Sequence, residues 1–418
     1  MYMQTIMSYL MKISPRKDND TNMNTNWKKV KFGELAQINM GQSPPGESCN
    51  REGFGMPLLN GPTEFGTKYP SPIQWTNNPK KIANAGDILF CVRGSTTGRM
   101  NIANREYAIG RGLAAIRSNY DSKLQALLKA IIELNLQSLL SQATGSTFPN
   151  LSKEQLNNFR IEIPEFKEQL VLSSIISTYD DLIDINQKRI KILEEMAQRL
   201  YTDWFVKFKF PGHEKIKMVD SGTEYGTIPE RWKVQKLSSF ADLIMGQSPT
   251  SDNYNTNMMG VPFHQGVADY GEHFPDDRVF STAGTKFAFQ SDLLFSVRAP
   301  VGRINIALHK IILGRGLCAI RHKNGYQSTL FLMFSNKFTQ KDMIGNGAIY
   351  KSVNKTELEN LAFIHSPDQV GQIFDKYFTN YIDEIRVLTL KNRKLILLRD
   401  LLIPNLISGR KKLDRVSK

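Results

Sequence analysis

At 418 residues the chain exceeds what one hydrophobic core usually organises, so two or three domains are expected. Its 54 Lys and Arg against 40 Asp and Glu leave a net charge of +14, which favours a polyanionic partner, nucleic acid before membrane. An apolar content of 41% without a run long enough to span a bilayer argues against a membrane protein, and Cys49, Cys91 and Cys318 lack CxxC spacing, which argues against a disulfide framework or structural zinc and fits a reducing cytoplasm.

In chain order, residues 1–26 read as a disordered tail: the opening is mildly apolar but has neither a basic n-region nor a small-residue cleavage site. Trp27 opens a globular part, expected over residues 27–163. Within it Asp87–Arg93 reads as a buried strand, an apolar run between Gly86 and Gly94, set among Gly-, Pro- and Asn-rich turns. Lys123–Leu140 has the pattern of an amphipathic helix, and a polar loop follows at residues 144–153. Pro164 then ends a strand and permits a helix start. Residues 166–204 lack proline and glycine and read as one long helix, with Ile175, Tyr179, Leu182, Leu193, Met196 and Leu200 as its heptad stripe and Asn186 and Arg189 interrupting it. A linker is expected over 206–230, a second globular part over 231–366 and a second long helix over 367–410. That helix has Phe374, Phe378, Tyr381, Ile385, Leu388, Leu395 and Leu402 as its stripe, with Asn392 at the polar mid-position. Pro404 is expected to break it, and 411–418 form a basic tail.

The two halves are a tandem duplication at an offset of 205 residues, carrying Trp27 to Trp232. Gly41-Gln42-Ser43-Pro44 recurs as Gly246-Gln247-Ser248-Pro249, and Asp87–Arg93 as Asp292–Arg298. After one deletion Arg99 matches Arg303, and Gly110–Arg117 matches Gly314–Arg321. A helix of about forty residues would be roughly 55–60 Å long and needs a partner. The second such helix supplies it, so the expected fold is α+β: two pseudo-symmetric globular domains at opposite ends of a long antiparallel two-helix coiled coil.

No metal-ligand cluster, nucleophile motif or phosphate loop recurs in both copies, so no catalytic residues, metal or cofactor are expected in this chain. What recurs is basic and polar. Arg93, Arg99, Arg111, Arg298, Arg303 and Arg315 stand among glycines that let a backbone approach a phosphate, and Arg117 and Arg321 recur with them. Arginine reaches phosphates or guanine, while Gln, Asn and Ser suit adenine edges or phosphates. The competing reading, an internal salt bridge, is weighed equally for Arg93 and Arg298. The candidate DNA-binding set adds Gln42, Ser43, Asn60, Thr63, Lys68, Ser146 and Thr147 in the first copy, and Gln247, Ser248, His264, Gln265, Tyr350 and Lys351 in the second. Side chains at these loops differ between copies, Asn60-Gly-Pro-Thr63 against Gln265-Gly-Val-Ala268, which suits two readers of two sequences. Leu193, Leu200, Trp204, Phe205, Leu398, Leu402 and Leu406 are candidates for binding further subunits.

The duplicated Trp-Lys opening with its Gly-Gln-Ser-Pro turn resembles the specificity (S) subunit of type I restriction-modification systems. So do Pro164-Glu-Phe-Lys-Glu-Gln169, Asp181-Leu-Ile-Asp184, residues 193–205 and Leu406-Ile-Ser-Gly409. The resemblance covers almost the whole chain from Trp27. It implies a non-catalytic subunit, in which two target recognition domains each read half of a split double-stranded DNA site and the helix pair sets their spacing. It also implies partners: two modification subunits that bind S-adenosylmethionine and methylate adenine, and restriction subunits that use ATP and Mg²⁺. The alternative is a stand-alone DNA-binding regulator or a protein-binding scaffold with a duplicated domain.

Overall fold

The computed structural model describes residues 27–144, 149–338 and 352–407. The expected tails at 1–26 and 411–418 lie outside the described residues, as do the candidates Ser146, Thr147, Tyr350 and Lys351. The described residues divide into two compact units, one within Met1–Asp184 and Arg393–Lys418 and the other within Ile185–Asn392.

In the first unit Lys28–Lys31 pairs antiparallel with Arg160–Ile163. A four-stranded antiparallel sheet has the order Ala36–Met40, Leu113–Ser118, Ile88–Cys91, Met100–Ile102. A five-stranded sheet has the order Cys49–Asn50, Gln74–Thr76, Met56–Leu59, Tyr107–Ile109, Ile82–Ala83, and its Met56–Leu59 and Tyr107–Ile109 strands run parallel. Ile88–Cys91 is buried at every position because it is central and covered on both faces. Its period-two alternation divides the interior. Ile88 and Phe90, with Ala114 and Ile116, face the helical core, whereas Leu89 and Cys91, with Leu113 and Ala115, face Leu59, Tyr107 and Ile109 of the other sheet.

The second unit repeats this topology strand for strand. Lys233–Lys236 pairs with Ala362–His365; Ala241–Met245, Leu317–His322, Leu293–Ser296 and Ile304–Ile306 form four strands; Tyr254–Asn255, Phe280–Ser281, Val261–His264, Ile311–Leu313 and Phe287–Ala288 form five. The alternation recurs, with Leu293 and Phe295 toward the helical core and Leu294 toward Ile311 and Leu313.

Both long helices form, as Phe166–Tyr201 and Asp368–Ile407, and the expected prolines 164 and 367 precede them. Each contributes to both units. In the first, Leu172, Ile176, Tyr179 and Ile183 share a core with Leu395, Leu402 and Leu406, and Asp180 pairs with Arg399 at 2.8 Å. In the second, Asn186 Nδ2 donates to Asn392 Oδ1 at 2.8 Å, Arg189 pairs with Glu384 at 2.7 Å, and Tyr201 meets Phe374 edge-on. Partner numbers fall as helix numbers rise, so the segments within this unit are antiparallel. The two expected mid-stripe asparagines meet each other.

Four local expectations need correction. The deepest row of the first helix is Leu172, Ile176, Tyr179, Ile183, Ile190 and Ala197; of the expected stripe Tyr179 is in that row, Ile175, Leu182, Leu193 and Leu200 are half-buried against the cores, and Met196 alone is 48% exposed. Every apolar stripe residue read for the second helix is buried or half-buried. Pro404 lies inside that helix, which continues to Ile407 and also accommodates Gly371 near its start. Lys123–Leu140 splits into Gln125–Leu134 and Leu136–Leu140, because Asn135 turns its amide back onto the Ile131 carbonyl at 2.8 Å. Residues 206–230 are not a bare linker. Phe205, Phe208 and Phe210 pack on Trp232, and Met218–Asp220 forms a hairpin with Thr227–Pro229.

Candidate nucleic-acid interface

Strand register decides which loops can act together. In the first unit Met40 lies opposite Ala114, Cys91 opposite Leu113 and Met100 opposite Phe90, so these strand ends share one edge of the four-stranded sheet. In the five-stranded sheet Leu59 and Ile109 end together, and residues 110–112 connect that end to Leu113. The loops beginning at Gly41, Asn60, Arg93 and Gly110 therefore emerge at one place. Backbone bonds fasten three of them: Gly41 N to Leu113 O at 2.8 Å, Gln42 N to Ile109 O at 2.9 Å, and Gly110 N to Leu59 O at 2.8 Å. Val92 N to Gly112 O at 2.9 Å brings in the fourth.

The Gly-Gln-Ser-Pro turn is glycine for a steric reason. A Cβ on Gly41 would fall 2.2 Å from the Gly110 carbonyl oxygen, and one on Gly246 would fall 2.1 Å from that of Gly314. The next two residues then point out of a fixed backbone, and the Ser43 hydroxyl receives Arg111 N at 3.4 Å. The second unit repeats the construction with Gly246 N to Leu317 O, Gln247 N to Leu313 O and Gly314 N to His264 O, and Ser248 Oγ receives Arg315 N at 3.1 Å.

Gln42, Asn60, Thr63, Arg93, Arg99 and Arg111 are exposed in the first unit, as are Gln247, Gln265, Arg298, Arg303 and Arg315 in the second; Ser43 and Ser248 are half-buried. Arg93 Nε donates to Asn150 Oδ1 at 3.2 Å, and Arg298 bridges to Ser352 through the backbone. The internal salt bridge weighed for Arg93 and Arg298 belongs to Arg117 and Arg321 instead. Arg117 grips Asp87 through Nε at 2.6 Å and Nη2 at 2.9 Å, and Arg321 grips Asp292 at 2.7 and 2.6 Å. The hydrogen bonds to these carboxylates push both guanidinium pKa values up.

Several candidates stand elsewhere. His264 is fully buried, with Nε2 2.9 Å from Asp277, and occupies the position that Leu59 fills in the first unit, so it is a core residue and not a reader. Lys68 pairs with Asp184 of the first long helix at 3.5 Å. Trp204 and Phe205 are buried in the aromatic core around Phe374, and Leu402 and Leu406 in the first unit's core, so none of these four is an available docking surface. Leu193 and Leu200 are half-buried; Leu398 alone of that set is exposed. Two residues at the edges escaped sequence reasoning. Gln74 Oε1 accepts Asn60 Nδ2 at 3.0 Å, and Thr285 Oγ1 donates to Gln247 Oε1 at 3.3 Å. Neither is duplicated, the matching residues being Val279 and Lys80, so the repeat gave no signal.

Among the described residues no His, Cys, Asp and Glu group could hold a metal ion, and no helix is long and apolar enough to cross a membrane. The cysteines are free, and burial pushes the Cys91 and Cys318 thiols up to about 12, which leaves neither a nucleophile at neutral pH.

The family model described as the type I restriction modification DNA specificity domain matches residues 24–195 and again 229–396. Among curated proteins, a putative type I restriction enzyme specificity subunit of Methanocaldococcus jannaschii, MjaX, is 29% identical over 332 residues, 75% of this chain and 77% of that protein. The HindI specificity subunit of Haemophilus influenzae is 21% identical over 411 residues, 79% of this chain and 87% of that protein. The crystal structure of an S subunit from M. genitalium has the same fold, with a TM-score of 0.63 at 15% identity over 94% of this chain and 99% of that one. With two family matches that coincide with the two sheet-bearing repeats, the chain belongs to the type I restriction-modification DNA specificity family, as a non-catalytic subunit that recognises a DNA sequence.

Proposed function

We propose that each strand-end edge is a reader and that together they recognise the two halves of a bipartite site in double-stranded DNA. One observation carries this reading. The same glycine-fastened edge occurs twice with exposed arginines at matching positions, while the side chains at its tips differ, Asn60 and Thr63 against Gln265 and Ala268. Arg93, Arg99 and Arg111, with Arg298, Arg303 and Arg315, hold phosphates or guanine. Gln42, Ser43, Asn60, Gln247, Ser248 and Gln265 face base edges or phosphates. The recognition domains span 27–163 and 231–366, and the helical segments 164–205 and 367–410 form the spacer.

The chain works in the cytoplasm with two modification subunits that use S-adenosylmethionine and with restriction subunits that use ATP and Mg²⁺. Exposed apolar side chains on the long helices, Ile192 and Met196 on one and Leu397, Leu398 and Leu401 on the other, suit subunit docking, since 48–59% exposure is retained by all but Leu398 at 37%. The test is affinity against salt for Arg111→Ala and Arg315→Ala in the complex that copurifies with the chain. Loss of one phosphate contact lowers the salt slope by about one. Unchanged affinity and slope in both variants would remove these edges from the interface.

A further inference from the structure

We infer that Gln74, held by Asn60, reads an adenine in the half-site bound by the first unit; this rests on the edge being the DNA reader. Asn60 follows the Met56–Leu59 strand, and Gln74 begins the strand beside it, opposite Leu58. The asparagine packs closely against the duplicated edge. A Cβ on Gly110 would fall 2.4 Å from Asn60 Oδ1, and one on Gly112 would fall 2.4 Å from the Asn60 carbonyl oxygen, so two glycines of the duplicated edge form its seat. From that seat Asn60 Nδ2 donates to Gln74 Oε1 at 3.0 Å.

That bond sets which way the Gln74 amide faces. Oε1 keeps one lone pair, and both Nε2 hydrogens remain to donate. An acceptor beside a donor matches the major-groove edge of adenine, whose N6 amino group donates and whose N7 accepts. Guanine presents acceptors at both O6 and N7, so the fixed amide would oppose Oε1 to one of them. Gln74 is half-buried and Asn60 is exposed, so the pair is reachable from solvent, and Gln74 lies in a strand paired with Met56–Leu59. In the second unit the matching residues are Val279 and Gln265, and valine offers no hydrogen bond. The two half-sites therefore differ in how this position is read.

The experiment selects binding sites from a randomised duplex library with the full chain in the complex it copurifies with, comparing wild type, Gln74→Ala, Gln74→Glu and Asn60→Ala. Wild type should require A·T at one position of one half. Gln74→Ala should reduce that preference roughly five- to hundredfold and leave every other position intact, Gln74→Glu should shift it toward C·G, because a carboxylate accepts from the cytosine amino group, and Asn60→Ala should weaken it less. The second half-site serves as the folding control. If Gln74→Ala loses that half too, Asn60→Ser decides by the same readout at the A·T position. Selected sites identical to wild type in all variants, or uniformly weaker binding to every sequence, would overturn the assignment while leaving DNA recognition by the chain intact. A wild-type complex without sequence preference would overturn both.

Discussion

Replacing Arg117 with Ala separates the arginine that holds the fold from those that face solvent. Asp87 is 3% exposed and receives three hydrogen bonds, two from Arg117 at 2.6 and 2.9 Å and one from Asn84 N at 2.8 Å. Truncation removes both charged bonds and leaves a buried carboxylate with one backbone donor. Hydrogen bonds to charged groups contribute about 1.5–3 kcal/mol each. The arginine is 42% exposed at its side chain, so water can enter from its side and part of the loss is recovered. A net cost of about 2 kcal/mol follows, which for a unit of this size lowers the melting temperature by roughly 4–8 °C. Melting curves and duplex binding across a salt series, measured on the same protein, read the two effects separately. Arg117→Ala should melt early with an unchanged salt slope, and Arg111→Ala should melt like wild type with a slope lower by about one. The reasoning is refuted if Arg117→Ala melts normally and loses the slope instead. Arg321→Ala should repeat the result in the second unit, where Asp292 is 2% exposed.

Other expectations follow from burial and charge. Burial and the neighbouring His365 lower the His322 pKa to about 4 from 6.5, so the folded ring stays neutral while the unfolded one takes a proton. Stability should therefore fall as pH drops from about 6.5 toward 4, and urea unfolding of wild type and His322→Gln at pH 7 and pH 5 should show a smaller drop in the variant. Phe378→Ala should cost about 3–5 kcal/mol by chemical denaturation, since the ring is fully buried and stacks on Phe374 and Tyr381. Replacing Asn186 and Asn392 together by Leu should raise the melting temperature but broaden the pairing of the helices, seen as extra oligomers on sizing; a single species less stable than wild type would count against a register role for their 2.8 Å bond.

The parts legible in the sequence were those the duplication repeats. The buried Asp87–Arg93 strand, the Gly-Gln-Ser-Pro turns and the second helix's stripe are local patterns written twice or written strongly, and the structure has them where the pattern puts them. In the first helix's stripe only Met196 leaves the cores, and the deepest row is shifted to Leu172, Ile176 and Ile183, because periodicity alone cannot say which of two adjacent apolar rows lies deeper. Trp204 and Phe205 looked like a sticky end only because their cover, Trp232 and Phe374, lies far away in sequence. The arginines illustrate the same limit. All four pairs recur, yet it is Arg117 and Arg321 that grip the buried Asp87 and Asp292, and that pairing depends on the register of Leu113–Ser118 against Ile88–Cys91 in the first unit and of Leu317–His322 against Leu293–Ser296 in the second.

The central claim is that sequence readout resides in the strand-end loops of each repeat. Its most direct test grafts the loops at 41–45, 60–63 and 93–99 of the first repeat from a relative with a different target, keeps every strand and helix, and maps methylated bases across the host genome. The account predicts a recognition sequence altered in one half and unchanged in the other. An unaltered sequence, or one altered in both halves, would contradict it.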